Sequence, residues 1–170
     1  SGVFLAYTEQ QAKQLVYQML ERDMRPLVQE YIQESHGKDI RALVVGGKVV
    51  AAMRRRAHGS EFRSNFHLGG SVEPVKMSPR FEKVAITAAN KLGLDLAGVD
   101  MLEARNGPLV LEVNSSPGLE GIESVVGEGV VATEVAKLLN HRLEEAHSES
   151  SLSSGNDVSE MYREASEVQD

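Results

Sequence analysis

The segment Val99-Asp100-Met101-Leu102-Glu103-Ala104, Arg105-Asn106-Gly107, Pro108-Leu109-Val110-Leu111-Glu112-Val113-Asn114 constrains the fold more than any other. Two apolar runs flank a short connection containing Asn-Gly, the local chemistry of a β-hairpin. A turn at residues 105–107 sets Asp100 directly across from Glu112, and opposed Cβ atoms in a sheet lie only about 4.5–5.5 Å apart. Asn114 stands two residues beyond Glu112 and shares its face, while Leu109, Leu111 and Val113 are expected on the other. Opposed carboxylates destabilise a sheet unless a cation sits between them. An all-oxygen set with few protein ligands suits Mg²⁺ or Mn²⁺. A solvent-facing hairpin with ordinary surface acids explains these residues equally well.

Size and charge narrow the field. A chain of 170 residues, 41% apolar, supports one domain with a real core, or one domain plus a tail. The absence of cysteine excludes a disulfide scaffold, thiolate metal ligands and a Cys nucleophile. No apolar run approaches the roughly 18 residues of a membrane span. Of the net charge of −7, all but one unit falls in residues 145–170, so the body is nearly neutral. Arg54-Arg55-Arg56 is too short a run to make a nucleic-acid footprint, and neither nucleic acid nor membrane is expected as a partner. The chain opens at Ser1-Gly2-Val3-Phe4-Leu5, without an initiator Met and almost at once in a strand-like run, as a piece of a longer protein would.

Periodicity gives an α+β arrangement, an antiparallel sheet with helices packed on one side and a wet face on the other. Strands are expected at 3–7 and 26–32. A helix from Thr8 to about Asp23 opens on a Thr8/Gln11 capping box and carries Ala12, Leu15, Val16, Met19 and Leu20 on one face. Residues 39–45 and 48–57 form a hairpin about Gly46-Gly47. Residues 58–77 read as a long loop, a length that marks function or disorder. Pro79 opens a helix ending near Leu92, with Gly93 beyond it. A last helix spans about 129–146. Residues 1–145 form the structured part, and the acidic Ser/Glu-rich stretch 146–170 is expected to be disordered.

Four further polar groups admit two readings each. Glu30 and Tyr31 end a strand and either border a flat heterocycle or simply face solvent. Asp39 either accepts from sugar hydroxyls, or pairs with Arg41 or caps the loop. Arg63, Ser64 and Asn65 either bind phosphate, for which the Arg fork is suited, or hold their own loop. The turn Asn114-Ser115-Ser116-Pro117-Gly118 is either an anion-binding nest or a connector.

Taken together, Val28-Gln29-Glu30-Tyr31-Ile32, Asp39-Ile40-Arg41, Phe62-Arg63-Ser64-Asn65, Ala97-Gly98-Val99-Asp100 and the run from Glu112 through Glu123 resemble RimK-type glutamate ligases of the ATP-grasp superfamily. The likeness spans about residues 1–143. It implies an ATP-dependent ligase that adds L-glutamate to the C-terminal tail of a ribosomal protein through an acyl-phosphate, in the cytoplasm. It places Glu30 and Tyr31 at the adenine, Asp39 near the ribose, and Arg63, Ser64 and Asn65 at the phosphates, with Arg63 catalytic. Asp100 and Glu112 hold one Mg²⁺ or Mn²⁺; Glu112 and Asn114 hold the second. The resemblance leaves homo-oligomerisation open. It also implies that an N-terminal domain and a nucleotide-covering lobe belong to such enzymes, so this chain alone is expected to be inactive. Alternatives are an ATP-grasp ligase acting on a small-molecule or carrier-protein acceptor, or a non-catalytic binding module.

Overall fold

The run Ala42-Leu43-Val44-Val45 is apolar at every position, the pattern of a strand covered on both faces. In the computed structural model this run lies in the central strand of a five-stranded sheet, and all four residues are buried. Residues 2–59 and 70–166 are described, with side chains as far as residue 148. The described chain divides after Glu34 into two units.

The first unit carries α1 (Glu9–Leu20). The Thr8 hydroxyl accepts from the Gln11 N–H at 3.2 Å, and the Gln11 side chain accepts from the Tyr7 N–H at 2.9 Å. The capping exchange expected from sequence is therefore present, displaced by one residue on the return bond. The expected apolar face is half-buried at Ala12, Leu15, Val16 and Met19, whereas Leu20 is exposed. Residues 3–7 and 26–32 form no strand. An apolar run supplies the side chains of a strand, but only a neighbouring ladder makes one, and neither segment has it.

The second unit holds the sheet. Its strands are β1 (Lys38–Val45), β2 (Lys48–Arg56), β3 (Ser71–Pro74), β4 (Leu96–Ala104) and β5 (Gly107–Asn114). Their spatial order is β3-β2-β1-β4-β5, antiparallel throughout. Gly46 and Gly47, at φ +55 and +73, make the two-residue turn between β1 and β2 that side-chain-bearing residues rarely allow. β3 falls inside the stretch expected to be loop. Ser-Val-Glu-Pro has no apolar alternation to announce a strand, and Pro74 is tolerated because the strand lies at the sheet edge.

Helices cover both faces of the sheet, which corrects the one-sided expectation. On one face, Ile40, Ala42, Val44, Ala97, Val99 and Met101 pack with Ala85 and Ala89 of α2 (Pro79–Lys91). Alanine at the two buried α2 positions lets that helix lie close to the strands. On the other face, Leu43, Val45, Ala51 and Met53 pack with Ile122 of α3 (Glu120–Val126) and Val131 of α4 (Val130–Ser166). α4 runs from Val130 to Ser166, past residue 146 where the sequence pattern ends its last helix.

Candidate functional site

α3 and α4 cover only one end of their face. At the other end the same face turns polar: Asp39 and Arg41 continue it on β1, Arg55 on β2, Asp100 on β4, and Glu112 and Asn114 on β5. Asp100 pairs with Glu112 and Gly98 with Asn114, so the two acids and the amide meet as the sequence implies. The route differs from the expectation. The turn has two residues, Arg105 and Asn106, and that turn alone would set Asp100 against Leu111. A β-bulge at Leu111 restores the Asp100–Glu112 pairing. The same bulge reverses the face of the preceding residues, so Leu109 opposes Leu102 on the Asp100 face rather than lying beneath it. Leu109, Val110 and Leu111 are all exposed, and Val113 alone of the expected trio packs into a core.

Asp100 is 1% exposed and is held by two guanidinium groups. Arg41 grips it side-on, Nε to Oδ1 and Nη2 to Oδ2, both at 2.7 Å. Nη2 of Arg55 donates to Oδ2 at 2.6 Å. Burial alone pushes the Asp100 carboxyl up; the hydrogen bonds and charges of Arg41 and Arg55 outweigh it and hold the group below the usual carboxylate range. Burial likewise pulls the Arg55 guanidinium down, and Asp39 and Asp100 more than reverse that.

Asp39 is 3% exposed and accepts from Arg55 at both oxygens, Nε to Oδ1 and Nη2 to Oδ2, each at 2.6 Å. Of the partners open to it, sugar hydroxyls, Arg41 or its own loop, Arg41 hydrogen-bonds Asp100 instead, and Asp39 accepts from Arg55. Sequence reasoning misses Arg55 because the Gly46-Gly47 turn, extended without a break, sets Asp39 against Arg54. A second bulge, at Val50, shifts the register so that Arg55 faces Asp39. Arg54 and Arg56 then point to the α2 face, where Arg54 meets Glu103 and Glu73, and Arg56 meets Glu73. Every arginine of the triplet is therefore paired with carboxylates, and the run forms no open basic patch.

The donor set fits a hard divalent cation. A carboxylate has roughly four lone-pair sites, and the two arginines occupy three on Asp100, leaving one on Oδ1. Glu112 is exposed, and the Asn114 Nδ2 donates to its Oε1 at 3.0 Å, which leaves the amide oxygen as an acceptor. Among the described residues no group of three or more acidic or histidine side chains is placed to hold a metal ion, here or elsewhere, so the set consists of two acids and an amide. Burying two acids and Arg55, with Arg41 half-buried beside them, is also a poor way to gain stability, since apolar residues fill such space at lower desolvation cost. The loop beyond Asn114 is drawn over the sheet beside this cluster. A Cβ placed on Gly98 would lie 2.7 Å from Cβ of Pro117 and 3.9 Å from Nε of Arg41. Of the other expected contacts, Glu30 and Tyr31 are exposed residues of the first unit, and Arg63, Ser64 and Asn65 lie outside the described residues.

Residues 1–139 match the RimK-like ATP-grasp domain, and the chain belongs to that family. It is 54% identical over 131 residues to the probable alpha-L-glutamate ligase 2 of Pseudoalteromonas atlantica, covering 77% of this chain and 44% of that protein. A probable alpha-L-glutamate ligase of Aeromonas salmonicida is 54% identical over 129 residues, 76% of this chain and 43% of its own length. The chain thus spans less than half the length of these relatives. The D-alanine–D-alanine ligase of Bacillus anthracis, solved with ATP, shares the fold at a TM-score of 0.63 and 23% identity, over 85% of this chain and 52% of that one. The ATP-grasp ligase PsnB, solved with the precursor peptide PsnA2 and AMPPNP, superposes at 0.50 with 26% identity, over 71% and 39%. No described helix is long and apolar enough to cross a membrane.

Proposed function

We propose that this chain forms the cation- and phosphate-handling part of an ATP-dependent carboxylate–amine ligase that adds L-glutamate to a polypeptide. The observation that carries the reading is the register pairing of Asp100 with Glu112, with Asn114 on the same face, in a member of the RimK-like ATP-grasp family. The relatives' naming as glutamate ligases supports glutamate as the amine. The likeness to PsnB, which binds a precursor peptide, supports a polypeptide acceptor, and the tail of a ribosomal protein is our specific assignment. Such a reaction belongs in the cytoplasm, where ATP and glutamate are at hand.

The chemistry follows from what a carboxylate lacks. Its oxygen is a poor leaving group, so the acceptor carboxylate must first take the γ-phosphoryl of ATP, and the amine of glutamate then displaces phosphate from the acyl-phosphate. In-line transfer gathers negative charge on the transferring group, and the protein's task is positioning and electrostatic stabilisation. Asp100, Glu112 and Asn114 hold two Mg²⁺ or Mn²⁺ ions, which offset that charge when bound. Arg63, with Ser64 and Asn65, meets the phosphates; Glu30 and Tyr31 border the adenine.

A thermal-shift measurement tests this. Mg²⁺ with ATP is expected to raise the melting temperature of the chain, by about 2.7 kcal/mol of added stability at a hundredfold excess over Kd. ATP with EDTA, or Glu112→Gln with both ligands, is expected to give a smaller rise. A shift indifferent to Mg²⁺ and to Glu112 rejects the reading. In the intact ligase, Arg63→Ala is expected to lower kcat by about 10²–10³.

A further inference from the structure

We infer that Arg55 is a positioning residue: clasped by Asp39, it fills Oδ2 of Asp100 and leaves Oδ1 as the oxygen open to a divalent cation. The inference rests on the cation reading above and assigns to Asp39 and Arg55 a joint role that neither residue shows alone.

One nitrogen makes the connection. Nη2 of Arg55 donates to Oδ2 of Asp39 and to Oδ2 of Asp100, both at 2.6 Å, while Nε donates to Oδ1 of Asp39. All three side chains are less than a tenth exposed. Two buried carboxylates this close repel unless a cation lies between them, and Arg55 is that fixed cation. The guanidinium is a rigid planar fork, so once Asp39 holds one edge, the hydrogen offered to Asp100 has a set direction. Arg41 then occupies the second site on Oδ2 and one on Oδ1. The remaining acceptor of Asp100 is on Oδ1, in the carboxylate that opposes Glu112 across the hairpin. Outer partners that orient a metal-ligating group in this way typically change metal affinity by about 10–100-fold when removed.

The test is Mn²⁺ binding to the full chain, read as loss of the free-ion electron paramagnetic resonance signal, with melting by circular dichroism in the absence of metal. Arg55→Lys keeps the charge but not the fork, and is expected to weaken Mn²⁺ binding about tenfold. Asp39→Asn is expected to weaken it in the same direction, and the double variant no further than Arg55→Lys alone. Mn²⁺ affinity unchanged in both single variants overturns the inference, even if their melting temperatures fall. Additive losses in the double variant also overturn it, because Asp39 then acts independently of Arg55. If the unsubstituted chain binds no Mn²⁺, the cation reading itself fails and takes this inference with it. Should Arg55→Lys not fold, the unsubstituted chain decides. Sub-stoichiometric Mn²⁺ is expected to broaden the Arg55 Nε–H resonance more than that of Arg54 on the opposite face, and equal or absent broadening rejects the arrangement.

Discussion

At Gly98 the backbone of β4 has no room for a side chain. A Cβ there would meet Cβ of Pro117 at 2.7 Å, closer than carbon atoms approach without displacement, and both partners are held, one in a ladder and one in a short loop. Gly98→Ala is expected to destabilise the chain by about 1–3 kcal/mol, the cost of overpacking. That corresponds to a fall in melting temperature of about 2–4 °C per kcal/mol for a chain this long. A melting temperature within about 1 °C of the parent, an order-of-magnitude bound on measurement error, would show that the loop yields freely. Much at this scale is legible in the sequence. Asp100, Glu112 and Asn114 stand out from spacing alone, and they do share a face. Arg55 is not legible, because its sequence neighbours Arg54 and Arg56 are chemically identical and only register tells the three apart.

Register belongs to the scale of the element, and here two single-residue bulges decide it. Val50 in β2 and Leu111 in β5 each take an extra position, and every residue beyond them changes face. Without the first, Arg54 would face Asp39; without the second, Leu111 would face Asp100. Neither bulge is marked by glycine or proline, so composition gives no warning. Ser35 shows another device invisible to periodicity. Its hydroxyl both donates to the Glu103 carbonyl and accepts from the Glu103 N–H, finishing the β4 ladder where β1 no longer reaches. β3 escapes a sequence reading for the same reason, since its four residues show no apolar alternation and only pairing with β2 makes it a strand. It contributes Glu73, whose carboxyl is held below its ordinary value by Arg56 and then Arg54. The stability this gives is complete above the usual glutamate range and is lost as pH falls through the depressed value. Glu73→Gln is therefore expected to reduce the difference in melting temperature between neutral and acidic buffer. High salt should act in the same direction on the parent chain, because the Glu73 side chain is 43% accessible to solvent. An acid limb identical in variant and parent would remove the Glu73 pairs from the account.

Across the whole second unit, the sheet separates two apolar cores. Ile40 belongs to the one beneath α2 and Ile122 to the one beneath α3, and both are at most 3% exposed. Ile40→Val and Ile122→Val are each expected to cost about 0.5–1.5 kcal/mol in urea unfolding. With no shared partners, the double variant should equal the sum to within about 0.5 kcal/mol. A larger discrepancy would mean that the sheet transmits strain between its faces. The hairpin turns and the first and second helices are dictated locally, because turn chemistry, capping and side-chain period are properties of neighbouring residues, whereas the meeting of Asp100 with Glu112 also needs the bulge at Leu111. That helices cover both faces, that Asp39 answers to Arg55, and that Arg41 grips Asp100 across the central strands emerge only on folding. Those outcomes depend on strand order and on two register shifts, which are settled by the packing of segments distant in the chain.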